Sequence, residues 1–214
     1  MYMNLHEVAR QSSPFGHAVK SGSGGTTGKV DLSRNVRLAT ASLMAALTAV
    51  SAYINIPIGP VPITMQTFFV LLSGAVLGGR WGAGSQAVYV CLGLAGIPVF
   101  AGGMTGPAVV LSPTFGYLVG FVLCAFLTGS YLDRFTRSSI PHLVAGMLLG
   151  HVAIFGCGLL YLYAYFNYYA GVETTWPATL AVGLIPFLPF GLVKLVLAVS
   201  VGRTLSKYVR LESP

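Results

Sequence analysis

The segment Phe187-Leu-Pro-Phe-Gly-Leu-Val-Lys194-Leu-Val-Leu197 places one lysine inside an apolar run that continues to Val201. A cation near the middle of a membrane span costs about 2.5–3.5 kcal/mol on insertion scales, so it needs an anionic partner or a water-filled cavity. The stretch 179–202 contains no Asp or Glu. Lys194 must therefore find its partner in another segment or in a ligand, and we expect the rest of the chain to enclose that ligand.

The composition around this segment is that of an integral membrane protein. Only 8% of the 214 residues are charged and 55% are hydrophobic, whereas a soluble domain carries about 25% charged residues. The net charge of +7 comes from basic residues at the ends of apolar runs, which argues against a nucleic-acid-binding surface. Cys91, Cys124 and Cys157 show no CxxC or metal-binding spacing, and we interpret them as packing residues.

Six apolar segments follow a polar N-terminal stretch. Their bounds are Val36–Ile56, Ile63–Leu77, Trp81–Ile97, Thr114–Leu132, His142–Phe166 and Thr179–Gly202. Short apolar helices beside Pro/Gly-rich turns are typical of transporters, in which helices stop early around a cavity. The sequence therefore predicts an all-α integral membrane protein with a six-transmembrane-helix bundle over 36–205. A flexible cytoplasmic tail over 1–35 precedes this bundle and a short cytoplasmic tail over 206–214 follows it.

Lysines and arginines mark one side of the predicted bundle. They precede the first segment, lie in the second and fourth connections, and follow the sixth segment. The opposite loops 57–62, 98–113 and 167–178 contain none. The positive-inside rule then predicts a multi-pass protein of the cell membrane with both termini in the cytoplasm. The loop 98–113 is apolar and glycine-rich, and we expect it to fold back over a binding site as a lid.

Motifs for catalysis and nucleotide binding are missing from the sequence. The patch 21–29 resembles a phosphate loop, but Ser23 and Val30 stand where a glycine and a Ser or Thr are required. No HExxH motif and no acidic pair lies in the apolar segments, and no spacing links His151 to a nucleophile. We predict no enzyme activity, no cofactor and no metal site. An intramembrane enzyme that uses His151 or Lys194 is the alternative from another class.

Polar residues within the segments are suited to binding a small molecule. The candidates are Asn55, Thr64, Gln66, Tyr89, Thr114, Tyr117 and Lys194. For the uncharged ones an interhelical hydrogen bond is the simpler interpretation, whereas Lys194 favours a ligand carboxylate held by a charge-assisted hydrogen bond.

A stripe of small residues marks one face of the first segment. Ala41, Ala45 and Ala49 recur every four residues. Small residues at this spacing let another helix backbone approach closely in lipid. The spacing alone leaves open whether that helix belongs to this chain or to a partner.

Four motifs follow one another along residues 36–205. They are Pro60-Val-Pro-Ile-Thr-Met-Gln-Thr67, Gly93-Leu-Ala-Gly-Ile-Pro-Val-Phe-Ala-Gly-Gly103, Ser112-Pro-Thr-Phe-Gly-Tyr-Leu-Val-Gly-Phe121 and Leu188-Pro-Phe-Gly-Leu-Val-Lys194. Together they resemble the BioY family, the biotin-specific S components of energy-coupling-factor (ECF) vitamin importers. The resemblance implies a six-helix protein that captures biotin from outside and assembles with a transmembrane coupling subunit and two cytoplasmic ATPases.

The same resemblance implies roles for individual residues. Lys194 matches the family's lysine near the biotin side chain, and we expect it to neutralise the valerate carboxylate. The full set of substrate-binding candidates is Lys194, Gln66, Thr64, Tyr89, Phe100, Gly102, Gly103, Thr114 and Tyr117. The stripe Ala41, Ala45 and Ala49 is expected to contact the coupling subunit.

The sequence departs from the family pattern at two places. Many relatives carry a polar residue in the glycine loop where this chain has Gly102-Gly103. The family commonly carries an Asp three residues before the lysine, where this chain has Gly191. We therefore keep two further hypotheses beside biotin, namely an S component for another small carboxylate vitamin and a purely structural assembly subunit. The sequence leaves open whether the energising partners are dedicated or shared, and whether the chain forms homo-oligomers.

Overall fold

The computed structural model describes residues 30–31, 34–137 and 139–210, and the side chains of 34–137 and 139–205. Most of the predicted N-terminal tail and the last four residues lie outside this part of the chain. Seven α-helices make up most of the described residues. They are α1 (Arg34–Ser51), α2 (Gln66–Leu77), α3 (Gly79–Leu94), α4 (Phe115–Arg134), α5 (Ile140–Ala164), α6 (Trp176–Gly183) and α7 (Phe187–Tyr208).

Short irregular elements connect the helices. Strand β1 (Val30–Asp31) pairs in parallel with β4 (Val209–Arg210), and β2 (Asn55–Ile56) pairs antiparallel with β3 (Ile63–Thr64). The β2–β3 hairpin closes the α1–α2 connection, with Asn55 opposite Thr64. Two 3₁₀ turns and one π-helical turn complete the fold, at Ala101–Gly103, Pro107–Leu111 and Tyr165–Tyr169.

Among the residues that the structure describes, three helical stretches are long and apolar enough to cross a membrane. They are Phe115–Arg134, Ile140–Tyr169 and Phe187–Leu205. Helix α2 is apolar but has only 12 residues. Large apolar side chains such as Val152 and Val196 are 69% and 64% exposed, as expected for helices whose outer face meets lipid tails. The fold is therefore that of a helical membrane protein, and six spans remain a prediction.

The structure divides the predicted sixth segment into two helices. Helix α6 ends at Gly183 and α7 begins at Phe187, so residues 184–186 interrupt the predicted continuous helix. Pro186 directly precedes α7 and Pro189 lies in its first turn, where a backbone N–H has no intrahelical acceptor to lose. The break places Gly191 and Lys194 in the first two turns of α7.

Small residues allow the core helices to approach closely. A Cβ added at Gly120 of α4 would lie 2.8 Å from the Cα of Ile154 in α5, and one at Gly74 of α2 would lie 2.7 Å from the Ala125 carbonyl oxygen. Neither contact distance is tolerated by real side chains. These glycines therefore allow the backbone of α4 to pack directly against α5 and α2, so the distances between these helices are short.

The alanine stripe of α1 faces the interior of this chain. Ala41 and Ala45 are 9% and 4% exposed, and Ala49 is half-buried. The Ser85 hydroxyl of α3 donates a hydrogen bond to the Ala41 carbonyl at 2.8 Å. The contact between this stripe and a coupling subunit stays a prediction, and in this conformation the stripe packs within the chain. It lets α1 approach its own neighbours.

An arginine joins the turns at the end of the bundle that contains the basic loops. Arg137 donates to the Ala75 carbonyl at 3.0 Å and forms an ion pair with Asp133. The other oxygen of Asp133 accepts from the Gly79 N–H at 3.1 Å. Burial and the neighbouring Arg37 lower the pKa of Arg137 to about 10. The guanidinium stays charged at neutral pH and ties the α4–α5 connection to the α2–α3 turn.

Candidate substrate-binding site

A cavity of about 60 Å³ lies among α2, α4, α5 and α7. Its lining comes from residues 61–67, from the start of α4, the middle of α5 and the start of α7, and from the loop 98–113. We call this loop the covering loop, because Phe100, Ala101 and Met104 from it form part of the cavity wall. The loop thus folds back onto the cavity as expected, and its role as a lid over a binding site stays a prediction.

The wall combines a large apolar surface with a few polar groups. The polar residues that line the cavity are Thr64, Gln66, Thr67, Thr114, Tyr117, His151 and Lys194. Most of the remaining lining is aliphatic or aromatic. Small-molecule sites in proteins have this composition, in which apolar walls bury the ligand and a few polar atoms orient it.

Among the described residues that line the cavity, Lys194 is the only cation. Its side chain is 8% exposed, and Nζ donates a hydrogen bond to the Thr64 backbone carbonyl at 2.8 Å. Among the described side chains, no carboxylate forms an ion pair with Lys194, because the ion pair that is present joins Asp133 to Arg137. An ammonium has three N–H groups, and the bond to Thr64 engages one of them. Lys194 therefore retains donors for an anionic ligand.

A chain of hydrogen bonds runs from Thr64 to the covering loop. The Thr64 hydroxyl donates to the Gln66 side-chain oxygen at 3.0 Å, and the Gln66 amide donates to the Tyr89 hydroxyl. Tyr89 in turn donates to the Val99 carbonyl at 3.3 Å. Gln66 and Thr64 line the cavity, whereas Tyr89 is 1% exposed and lies behind them. Tyr89 thus supports Gln66 and the loop without forming part of the cavity wall.

The covering loop is fixed to the end of α3. Phe100 is buried and meets the Tyr89 ring edge-on, with ring centroids 5.5 Å apart. The Phe100 ring lies so close to Gly93 that a Cβ there would collide with it. The Gly93 carbonyl also accepts from the Gly106 N–H at 2.8 Å and from the Thr105 hydroxyl at 3.2 Å. A single glycine therefore receives three contacts from the loop.

Gly102 and Gly103 do not line the cavity. Their φ angles are +71° and +76°, and a Cβ added at either would meet nothing within 4 Å. The left-handed region favours glycine because it lacks a side chain. The two residues shape the turn that brings Phe100 and Met104 to the cavity.

Tyr117 and Thr114 line the cavity from the start of α4. The Tyr117 hydroxyl donates to the Gly183 carbonyl at 2.9 Å, and its ring stacks on Phe187 with centroids 6.2 Å apart. Tyr117 therefore fixes α4 to the end of α6 and to the start of α7. The Thr114 hydroxyl shares a 2.9 Å hydrogen bond with Ser112.

Sequence reasoning did not place His151 in the binding site. The structure puts it on the cavity wall, where Nδ1 lies 3.1 Å from the Met147 carbonyl and Nε2 is shielded without a hydrogen-bond partner. A polar ring in an apolar span was the available signal. Three apolar wall residues, Met104, Phe155 and Phe187, carry no signal, because such side chains are ordinary in membrane helices. Within residues 34–137 and 139–205, no cluster of His, Cys, Asp or Glu could hold a metal ion.

The cavity is small compared with a vitamin. A volume of about 60 Å³ holds only a few water molecules, whereas ligand pockets typically measure about 300–1,000 Å³. Binding of a vitamin-sized ligand therefore requires side chains of the wall or the covering loop to move outward. Met104 is suited to this movement, because it belongs to the loop and is partly exposed.

The bundle and the cavity are those of a membrane-embedded protein with a cavity suited to a small polar or anionic molecule. Helices of membrane-spanning length enclose a largely apolar cavity, and one buried lysine lies on its wall. The chain belongs to the BioY family, whose model matches residues 26–211.

Named relatives agree with this assignment. A probable biotin transporter BioY of Lysinibacillus sphaericus is 42% identical over 144 residues, which cover 67% of this chain and 73% of the relative. The biotin transporter BioY of Thermotoga maritima is 40% identical over 171 residues, covering 80% and 96% of the two chains. A crystal structure of the S-component for biotin from an ECF-type ABC transporter matches with a TM-score of 0.72 at 27% identity. This match covers 81% of this chain and 95% of that one.

Proposed function

We propose that this protein is the biotin-binding S component of an ECF-type vitamin importer. The observation that carries the proposal is Lys194, a buried cation on a largely apolar cavity wall whose hydrogen bond goes to a backbone carbonyl. A buried ammonium with unused donors favours an anionic ligand. Biotin carries a single carboxylate on an apolar chain, and the relatives bear the names of biotin transporters.

Lys194 binds the acid end of the ligand. The ammonium N–H groups of Lys194 that do not bond to the Thr64 carbonyl form charge-assisted hydrogen bonds to the valerate carboxylate. The side chains of Gln66, Thr64 and Thr114 and the ring of Tyr117 offer further polar and ring contacts on the same wall. Gly102 and Gly103 contribute through the shape of the covering loop, and Tyr89 contributes through Gln66.

The apolar part of the wall binds the rest of the ligand. Phe100, Met104, Phe155 and Phe187 enclose the aliphatic chain and the thioether ring, and burial of apolar surface contributes about 25 cal/mol per Å². The covering loop opens to admit the ligand from outside and then closes over it. Closure removes water from the lysine–carboxylate pair and strengthens their attraction.

The chain acts as a subunit of a transporter rather than as an enzyme. Its family supplies transport components, and the energy for uptake comes from a transmembrane coupling subunit with two cytoplasmic ATPases. We propose further that it is a multi-pass protein of the cell membrane with both termini in the cytoplasm. Residues 36–205 then form the substrate-binding domain between the tails 1–35 and 206–214.

A second candidate ligand is another small carboxylate vitamin. Gly191 favours this alternative, because it leaves Lys194 without an acidic neighbour one turn away on α7. The lysine would then accept any carboxylate that fits the apolar wall. Competition of such vitamins against labelled biotin separates the two candidates.

The decisive experiment is to identify the bound ligand directly. Small molecules released from the detergent-purified protein are analysed by mass spectrometry, and biotin is titrated by calorimetry into protein freed of ligand. Near-stoichiometric biotin and tight binding support the proposal. Recovery of a different carboxylate would keep the binding role and change the ligand. Absence of any saturable ligand would overturn the proposal and favour a structural assembly subunit.

A further inference from the structure

The imidazole of His151 is held in one tautomer. Its Nδ1 lies 3.1 Å from the carbonyl oxygen of Met147, one turn earlier on α5. A carbonyl can only accept, so Nδ1 carries a hydrogen. In the neutral ring the lone pair is then on Nε2, which is shielded and has no hydrogen-bond partner. The geometry therefore leaves one buried acceptor without a donor.

The ring is neutral for physical reasons. Protonation would place a second cation on the wall that already holds Lys194, within a largely apolar cavity. No described carboxylate is hydrogen-bonded to either residue. Two uncompensated buried charges of the same sign are far more costly than one. Nε2 is therefore an acceptor.

Gly191 keeps space open beside this acceptor. It faces His151 from α7, and both residues line the cavity. A Cβ at Gly191 would lie 3.7 Å from Nε2, which is an ordinary contact, whereas a larger side chain would occupy the space in front of the ring. Buried acceptors are nearly always hydrogen-bonded in proteins. The missing donor is accordingly expected from a molecule that enters this space.

We propose that His151 is a specificity-determining residue whose Nε2 accepts a hydrogen bond from an N–H group of the ligand. The inference rests on the proposed function and gives biotin one orientation. Biotin has N–H groups only in its ureido ring and an acid group only at the end of its side chain. Nζ of Lys194 lies at the carbonyl of Thr64 in β3, whereas Nε2 of His151, on α5, faces the space beside Gly191. The ureido ring therefore lies toward α5 and the carboxylate toward β3.

The test crosses two variants with two modified ligands. His151→Phe keeps the ring volume and removes the acceptor, and Lys194→Met removes the cation. Biotin methylated on a ureido nitrogen lacks one N–H, and biotin methyl ester lacks the acid. Affinities of the full-length protein in detergent are measured by calorimetry for biotin and for both modified ligands. His151→Asn is a further variant, because its amide N–H can donate to Met147 as Nδ1 does, while its oxygen is too close to the backbone to reach the position of Nε2.

His151→Phe and His151→Asn should each weaken biotin binding about tenfold or more, the effect of leaving a buried ligand N–H without an acceptor. Methylation at the recognised nitrogen should weaken binding to the wild type by a similar factor and have no further effect in the His151 variants. Replacing biotin by its methyl ester should reduce the affinity of the His151 variants by the same factor as that of the wild type. In Lys194→Met the ester should bind as well as biotin, whereas ureido methylation should still weaken binding.

Two outcomes overturn the inference and differ from each other. If the wild type binds biotin and both folded His151 variants bind it equally well, His151 has no role in recognition and the proposed function stands. Unchanged sensitivity to ureido methylation in the variants leads to the same conclusion. If the wild type binds no biotin, the proposed function fails and this inference fails with it. Melting temperatures of the variants identify any loss of binding that is due to unfolding.

Discussion

Gly191 determines how much of the cavity is open between α5 and α7. It is buried, it lines the cavity, and the nearest atoms to its missing Cβ belong to the His151 ring at 3.7 and 3.9 Å. A single methyl group fits at this distance. A branched side chain does not fit without entering the cavity, so the absence of a side chain at this position contributes to the size of the site.

Substitution of Gly191 should separate stability from binding. Gly191→Ala should leave biotin affinity within about threefold of the wild type, because the new methyl meets only an ordinary contact. Gly191→Leu should lower the affinity more than tenfold by filling the cavity. Both changes should preserve or raise the melting temperature, since glycine inside a helix is about 1 kcal/mol less favourable than alanine. Calorimetry and thermal unfolding in detergent measure the two effects. Tight biotin binding by Gly191→Leu would place the ligand elsewhere.

The sequence identifies the charged member of this site but not its uncharged members. Lys194 stands out because a buried cation in an apolar run requires an explanation. His151 becomes a candidate binding residue only when the structure shows that Nδ1 is hydrogen-bonded to the Met147 carbonyl and that Nε2 has no hydrogen-bond partner. Phe155 and Met104 are chemically ordinary, and their place on the wall depends on how distant segments meet. Charge can be read locally in a sequence, whereas the shape of a cavity is a tertiary property.

At the scale of elements, the covering loop depends on its attachment to α3. Phe100 lies over Gly93, and the carbonyl of the same glycine receives hydrogen bonds from Thr105 and Gly106. The loop is also tied at Pro98, Val99 and Val110, whose carbonyls accept hydrogen bonds from the hydroxyls of Tyr53, Tyr89 and Tyr161. Of these contacts, the one at Gly93 lies next to Phe100 of the cavity wall, so we expect it to affect how long a ligand stays bound.

Gly93→Ala should loosen the covering loop without unfolding the bundle. Its methyl would collide with the Phe100 ring, so we expect the ring to leave its position and biotin to dissociate at least several-fold faster. Gly84→Ala on the same helix is the matched control, because an added Cβ there meets nothing within 4 Å. Stopped-flow displacement of a fluorescent biotin measures the dissociation rate. Equal rates for the two variants would show that the loop does not retain the ligand.

The helices follow from the sequence more closely than the elements between them. The second to fifth predicted segments each overlap one helix of the structure, with ends shifted by up to three residues. The β2–β3 hairpin was not predicted, because strands of two residues are too short to show a hydrophobic period. The break between α6 and α7 was also missed, although Pro186 and Pro189 are a recognisable signal for a helix start.

At the scale of the whole molecule, α1 has one buried and one exposed face. Ala41 and Ala45 pack inward, while Leu43 and Val50 are 54% and 65% exposed. Ala46 lies on the exposed face, one residue beyond the buried Ala45. In the proposed assembly a coupling subunit has to contact surface that the chain itself leaves uncovered. The exposed face of α1 meets this condition in the described conformation, whereas the predicted contact at the alanine stripe would require α1 to move.

Two neighbouring tryptophan substitutions test which face of α1 contacts the partner. Ala45→Trp should lower the melting temperature and weaken biotin binding, since overpacking a buried site typically costs about 1–3 kcal/mol. Ala46→Trp should leave both unchanged in the isolated protein and reduce co-purification with the coupling subunit by its steric bulk. Pull-down of the co-expressed complex, calorimetry and thermal unfolding provide the three measurements.

A stable Ala45→Trp protein that binds biotin but fails to assemble would show that the stripe is the docking surface after all. In that case α1 would have to rotate away from α3 when the complex forms.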